Sequence, residues 1–167
     1  MESNANETVV ERECVVEAPA DAVWQRVVTP AGINDELRPW LTMSMPRSAK
    51  SLTVDTIPIG EPLGRAWLRL FGVVPFDYDH LSVTALEPGR YFREESTMLS
   101  MSSWQHERSV TPGGAHHVDA GGSGKTVVRD RITFTLRPGL RLATPIVAAG
   151  LRWLFDHRHR RLQRYFR

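Results

Sequence analysis

From about residue 51 to residue 136 the chain reads as one strand after another, with nothing between them able to form a crossover helix. That feature excludes parallel α/β architectures, whose neighbouring strands need connections of about a dozen residues or more. The segments "LGRAWLRLFG", "FDYDHLSVTALEPG", "RYFREESTMLS", "SSWQHERSVTPGG" and "KTVVRDRITFTL" follow one another closely. Gly60, Pro62, Pro88-Gly89, Pro112-Gly113-Gly114 and the glycines at 121–124 mark the turns between them. Short antiparallel connections are what such spacing permits.

Before this run, residues 9–17 ("VVERECVVE") read as a strand with Val10, Cys14 and Val16 on one face. "APADAVWQRVVTP" then starts a helix, with Pro19 near its first turn, Asp21 beside the free amides, and Pro30 closing it. "AGINDELRPW" is a second short helix ended by Pro39. After the strands comes a long helix from Thr144, its expected cap, through Pro145 to Phe166: about 22 residues, or roughly 33 Å. At 100° per residue, Val147, Leu151, Leu154, Phe155, Leu162 and Tyr165 form one apolar stripe with Arg158 in its middle. Arg152, Asp156, Arg160 and Arg164 point elsewhere, and His157 and His159 read as members of the basic face.

A curling sheet needs its concave face covered, and only the last helix is long enough to do it. The expectation is one α+β domain over residues 1–167 in a helix-grip arrangement. It has a curved antiparallel sheet of about seven strands, two short helices, and a long C-terminal helix over a central cavity. Residues 1–8 are expected to be a flexible tail.

"DAGGSGKTVVRDRITF" carries the Gly124-Lys125-Thr126 end of a phosphate-binding loop. Asp119 stands where such a loop needs its first glycine, and a strand follows where a helix should. The glycines are the loop of a hairpin. The chain's 41% apolar and 24% charged residues fit a globular protein, and no apolar run is long enough to cross a membrane. Met1 to Thr8 lack a secretory apolar segment, so the expected location is the cytoplasm. Cys14, the single cysteine, excludes an internal disulfide and a cysteine-based metal site. The net charge of +2 hides an asymmetry: residues 1–36 carry eight acidic side chains against Arg12 and Arg26, whereas the end reads "DHRHRRLQRYFR". That basic end is a solvated helix face or a surface for a protein or an anionic membrane; no aromatic-interleaved basic surface for nucleic acid accompanies it.

Alternation sorts the strands into faces. Asp130 shares the apolar, inward face with Val128, Ile132, Phe134 and Leu136. Trp104, His106 and Arg108 share a face of the preceding strand, and with the hairpin loop centred near His117, His106 falls opposite Val128 to Asp130. Phe92, Glu94, Ser96 and Met98 share a face before that. Four polar groups, Glu94, His106, Asp130 and Arg158, therefore point at one interior space. Unpaired burial would cost several kcal/mol each, so they pair with each other, with water or with a ligand. Arg158 is expected to hold Asp130 through two parallel bonds, keeping it ionised. Three roles stay open: a structural network seating the helix, the polar end of an apolar pocket, or a general base, His106, oriented by Asp130. Trp40, Phe92, Met98, Trp104, Leu151, Leu154 and Phe155 are the expected pocket walls. Trp24, Trp67 and Trp153 read as packing residues. His116 and His117 with Asp119 are a weak metal candidate in a glycine-rich loop, and neither metal nor cofactor is expected.

The stretch "EAPADAVWQRVVTP", with "SSWQHERSV", "TVVRDRITFTLRPG" and "LRWLFDHRHRRLQRYF", resembles the START-like, or polyketide cyclase/dehydrase-type (SRPBCC), superfamily from about Val9 to Phe166. It is similar in particular to a bacterial subgroup with a Trp-x-His strand, a strand with one central Asp, and a closing Phe-x-x-Arg-His-Arg helix. The resemblance implies the helix-grip fold and binding of a small, mostly apolar molecule such as a lipid, polyketide or aromatic metabolite. It also leaves room for a cofactor-independent cyclase or dehydratase using His106 and Asp130. The loop 112–124 and the segment 43–59 depart from the subgroup's pattern.

Overall fold

The computed structural model describes residues 7–46, 56–113 and 124–167. Seven strands, β1 (Thr8–Val16), β2 (Leu41–Met43), β3 (Pro62–Leu70), β4 (Val74–Glu87), β5 (Tyr91–Ser96), β6 (Met101–Pro112) and β7 (Thr126–Leu136), form one sheet in the order β1-β7-β6-β5-β4-β3-β2. Every pairing described is antiparallel, and the sheet curls into a half-barrel. α1 (Ala20–Val27), α2 (Pro30–Leu37) and the long α3 (Thr144–Tyr165) complete it, giving the helix-grip architecture. From β2 to β7 each strand pairs with the next, and β1 closes on β7, with Cys14 opposite Val128 and Val10 opposite Ile132.

Local chemistry explains the connections. Between β4 and β5, Pro88-Gly89 makes a tight turn in which the Arg90 amide donates to the Glu87 carbonyl at 3.0 Å. Gly89 has φ +82°, which a type II turn requires at that position and glycine adopts without strain. Pro30 begins α2 rather than closing α1: its missing amide suits the first helical position, and Thr29 Oγ1 accepts from the Gly32 amide at 3.1 Å. Gly32 packs so tightly on the end of α1 that a Cβ there would lie 1.9 Å from the Arg26 carbonyl oxygen. Glu36, one turn further along that face, is carried into the interior.

Three further expectations shift. β2 went unread because three residues are too few for a periodicity. Pro62, read as a turn marker, is the first residue of β3, where a strand tolerates proline. Thr144 does not cap α3. A 3-10 turn (Pro138–Ala143) runs straight into the helix, so Thr144 is already helical and its hydroxyl donates back to the Arg141 carbonyl at 2.7 Å. No helix among the described residues is long and apolar enough to cross a membrane.

The hairpin register decides what meets in the core. Pro112 pairs with Thr126, so the β6–β7 ladder is centred at position 119 ((112 + 126)/2), two residues beyond the expected centre. Arg108 is therefore cross-strand from Asp130, and His106 is opposite Ile132, reaching Asp130 on the diagonal.

Candidate ligand-binding cavity

Between the concave face of the sheet and α3 lies a cavity of about 460 Å³. Phe92, Met98 and Trp104 of the sheet side line it, facing Leu151, Leu154 and Phe155 of α3. Phe76 and Leu140 line it while remaining exposed, which puts them at its rim. A smaller annex of about 120 Å³ continues past Glu94 and Phe92 toward α1. A second concavity, of about 470 Å³, lies over Arg38, Thr42, Arg69 and Phe71, and none of its lining residues is buried. Six of the seven expected wall residues thus face the cavity. Trp40 does not: it is 39% exposed and packs against Trp153 and Phe71, with ring centroids 5.2 and 6.0 Å away. Trp24 is core, beside Phe92, and Trp67 is an outer-face partner of Tyr78.

At one end of the cavity a chain of opposite charges runs back into the protein. Glu94 Oε1 lies 3.2 Å from His106 Nδ1, and His106 Nε2 lies 2.6 Å from Asp130 Oδ1. Arg108 grips Asp130 with two parallel bonds, Nε to Oδ1 at 2.7 Å and Nη2 to Oδ2 at 3.0 Å. The far side of the same guanidinium donates to both oxygens of Glu36 at 3.0 to 3.1 Å. Arg158 Nε donates to Glu36 Oε2 at 3.1 Å. His159 Nε2 donates to Asp130 Oδ2 at 2.6 Å.

The four expected polar groups belong to one network, but the pairing differs. The carboxylate that Arg158 holds is Glu36, and the bidentate partner of Asp130 is Arg108. Period two had placed Arg108 beside His106 on the inward face; the register error hid its role. Glu36 gave no signal, because an acidic residue near the end of a short helix looks like surface. His159 is buried on the sheet-facing side of α3, one position past Arg158, where a strict stripe put it off the apolar face. His157 keeps to the outside, donating to the Arg38 carbonyl at 2.8 Å and stacking on Trp153.

Burial opposes ionisation of Asp130, but Arg108 and the two imidazoles outweigh it and hold the carboxyl well below the usual range. Burial also opposes charge on His106, yet the bonds to Asp130 and Glu94 raise its pKa. Glu94 follows the same pattern, burial being outweighed by His106, and its pKa is lowered. Both ring nitrogens of His106 face ionised carboxylates, so both carry protons. The residue is an imidazolium bridge with no lone pair left for a substrate. Asp130 is wholly buried behind it and does not line the cavity. Cys14 offers no nucleophile, since burial pushes its thiol up to about 12.

Two carboxylates on the cavity wall were missed. Period two along β4 places Asp77 and Asp79 on the inward face with Leu81 and Val83, a signal the sequence contained. Asp77 accepts from the Tyr78 and Leu99 amides at 2.8 Å each, and from the Ser100 hydroxyl. Asp79 has no comparable set of donors. The candidate metal group, His116, His117 and Asp119, lies outside the described residues, as do most of the 112–124 loop and much of the 43–59 segment.

Residues 14–166 match a family described as a domain of unknown function (DUF8410). A comparison with curated proteins finds no match. Among solved structures, the fold is similar to a START superfamily protein from Mycobacterium smegmatis, with TM-score 0.64, 13% identity, and 95% and 96% of the two chains covered. A norcoclaurine synthase mutant from Thalictrum flavum, in complex with a transition-state analogue, aligns with TM-score 0.59 and 13% identity over 95% of this chain and 96% of that one. DynU16, from the dynemicin biosynthetic locus, aligns with TM-score 0.52 and 20% identity over 94% of this chain but 46% of its own length. At such identities the likeness is one of fold, and the fold is START-like.

Proposed function

For a chain that belongs to the family described as a domain of unknown function, DUF8410, we infer a role from the cavity: non-catalytic binding of a small, mostly apolar molecule such as a lipid, polyketide or aromatic metabolite. The observation that carries this reading is the mostly apolar space of about 460 Å³ between sheet and α3, a volume typical of small-molecule sites. A packed core would have filled it. The rival reading, a cofactor-independent cyclase or dehydratase using His106 and Asp130, has the right fold behind it but meets a chemical obstacle. His106 has no free nitrogen, and Asp130 has no path to the cavity. The third reading, a protein- or membrane-surface module, rests on the end of α3, where Arg160 and Arg164 are exposed and Arg161 pairs with Asp35 at 2.7 Å.

The test is native mass spectrometry of protein purified from its own host, followed by displacement of a solvatochromic dye by apolar compounds. Saturable displacement, weakened in Trp104→Ala, is expected. If a broad library of apolar compounds gives no saturable binding, this reading fails.

A further inference from the structure

Asp79 is the one carboxylate of the cavity wall whose surroundings do not account for it. It is 3% exposed, it lines the cavity, and its Oδ1 has no hydrogen-bond partner. Its nearest side-chain donor is the Ser96 hydroxyl, close enough to lower its pKa but outside hydrogen-bond geometry. Buried polar atoms are rarely left so, because each forfeits the hydrogen bonds it had in water. The other charges nearby are already matched. Arg158, Arg108 and His106 alternate with Glu36, Asp130 and Glu94, three against three, and Asp77 is saturated by donors of the backbone and Ser100. Asp79 is the surplus group on the cavity wall, its Oδ1 buried within that wall.

Resting on the reading of the cavity as a small-molecule site, we propose that Asp79, flanked by Glu94 and Ser96, is a subsite for a hydrogen-bond-donating group, a hydroxyl or an ammonium, carried by an otherwise apolar ligand. Such a group supplies a well-placed donor in addition to the Ser96 hydroxyl. A carbonyl or ether would leave Asp79 Oδ1 unpaired and add a second acceptor beside Glu94.

The groups facing Asp79 are Asp77 on its own strand, Glu94 and Ser96 on β5, and His106 on β6, with Arg158 of α3 on the same cavity wall. Burial, and after it the charge of Glu94, raise the Asp79 carboxyl to about 7. Without ligand it therefore keeps its proton in mildly acidic solution. A donor is held more tightly by the ionised form, so its binding favours loss of that proton, and affinity rises with pH until about 7 and then levels. An acceptor group would reverse the sign.

The experiment uses the full chain and four probes sharing one ring system: methylnaphthalene, naphthylmethanol, naphthylmethylamine and methyl naphthyl ketone. Binding is measured by calorimetry at about pH 5.5 and about pH 8, either side of the Asp79 titration. The alcohol, the amine or both should bind about tenfold or more tighter than methylnaphthalene at the higher pH, the gain expected of one hydrogen bond to a charged group. That advantage should shrink at the lower pH. In Asp79→Asn the pH dependence should vanish, and the donor probes should lose their advantage over methylnaphthalene. Whichever of the two donors gains more identifies the group recognised.

If methylnaphthalene binds and neither donor probe improves on it, the subsite is overturned and the apolar cavity stands. The ketone binding best, and at low pH, overturns it in favour of acceptor recognition. A pH dependence that persists in Asp79→Asn overturns it by placing the proton elsewhere. If no probe binds at all, the cavity reading falls and the subsite with it.

Discussion

The charged network divides the interior into two apolar regions, and they are built differently. Along β7, Val128 lies on one side of Asp130 and Ile132 on the other; along α3, Leu162 and Phe155 flank Arg158 and His159. On the Leu162 side, Val16, Val23, Val27, Val110 and Val128 are all wholly buried, and α1 seals the region. On the Phe155 side, Leu68, Val147 and Leu151 are only partly buried around the cavity. The difference teaches how one helix serves two ends. The C-terminal half of α3 is clamped by close packing and ion pairs, so its N-terminal half can roof an unfilled space. Leaving that space open forgoes dispersion contacts, which the packed region must offset.

The clamp should fail hardest at its hub. Arg108→Met leaves Asp130 and Glu36 without their shared cation in a buried setting, and a loss of about 3–5 kcal/mol in urea unfolding is expected. A loss below about 1 kcal/mol would mean that water reaches those carboxylates and that the two regions are not separated by a dry belt. Next in size is Leu162→Ala, on the packed side, with an expected cost of about 2–4 kcal/mol from lost transfer energy and a new cavity.

The pH dependence sharpens the comparison. Asp130, held low, contributes stability above about pH 4 that is lost as the pH falls. His106, held high, contributes stability that is complete below about pH 6.5 and lost as the pH rises through its folded value. Asp79 acts in the opposite sense to Asp130. Its folded pKa of about 7 exceeds that of the unfolded chain, so the folded state holds a proton the unfolded state has released, and stability falls from about pH 4 to about pH 7. Asp79→Asn should therefore raise stability at about pH 8 by on the order of 1–2 kcal/mol and flatten that slope. A variant no more stable than the parent, with the slope intact, would remove Asp79 as the group responsible.

Much of this layout was legible. Turn signals and period two located the five strands from β3 to β7, and the same period put Asp130, His106, Trp104 and Glu94 on the inward face. Pairing was not legible, because alternation fixes a side chain's face but not its neighbour on the next strand. An error of about two residues in the loop centre set His106 opposite Val128 to Asp130 instead of Ile132, which hid the Arg108–Asp130 pair, and Arg158 was assigned to the wrong carboxylate. Glu36 was illegible for a different reason: its burial depends on where α2 docks, which rests on Gly32 meeting Arg26. His159 was misplaced because a helix seated against a curved sheet buries a wider arc than one stripe.

The smallest expected effect tests the comparison most directly. Leu151 and Leu162 are eleven residues apart (162 − 151), about three turns, and so lie on nearly the same face of α3. The same truncation at the two positions differs only in surroundings. Leu162 is enclosed on every side; Leu151 is half-buried and already borders the cavity. Removing its methyl groups creates no new void but enlarges an existing one, so Leu151→Ala should cost about 1 kcal/mol or less in urea unfolding. Its effect belongs in binding instead. Losing contacts of similar worth with a bound apolar probe should weaken methylnaphthalene roughly fivefold. Leu162→Ala should leave the affinity of the folded protein unchanged. Should Leu151→Ala destabilise the chain as much as Leu162→Ala, the cavity is filled by collapse in solution and α3 packs alike along its whole length. Should both variants bind the probe as the parent does, the probe does not sit beneath the helix.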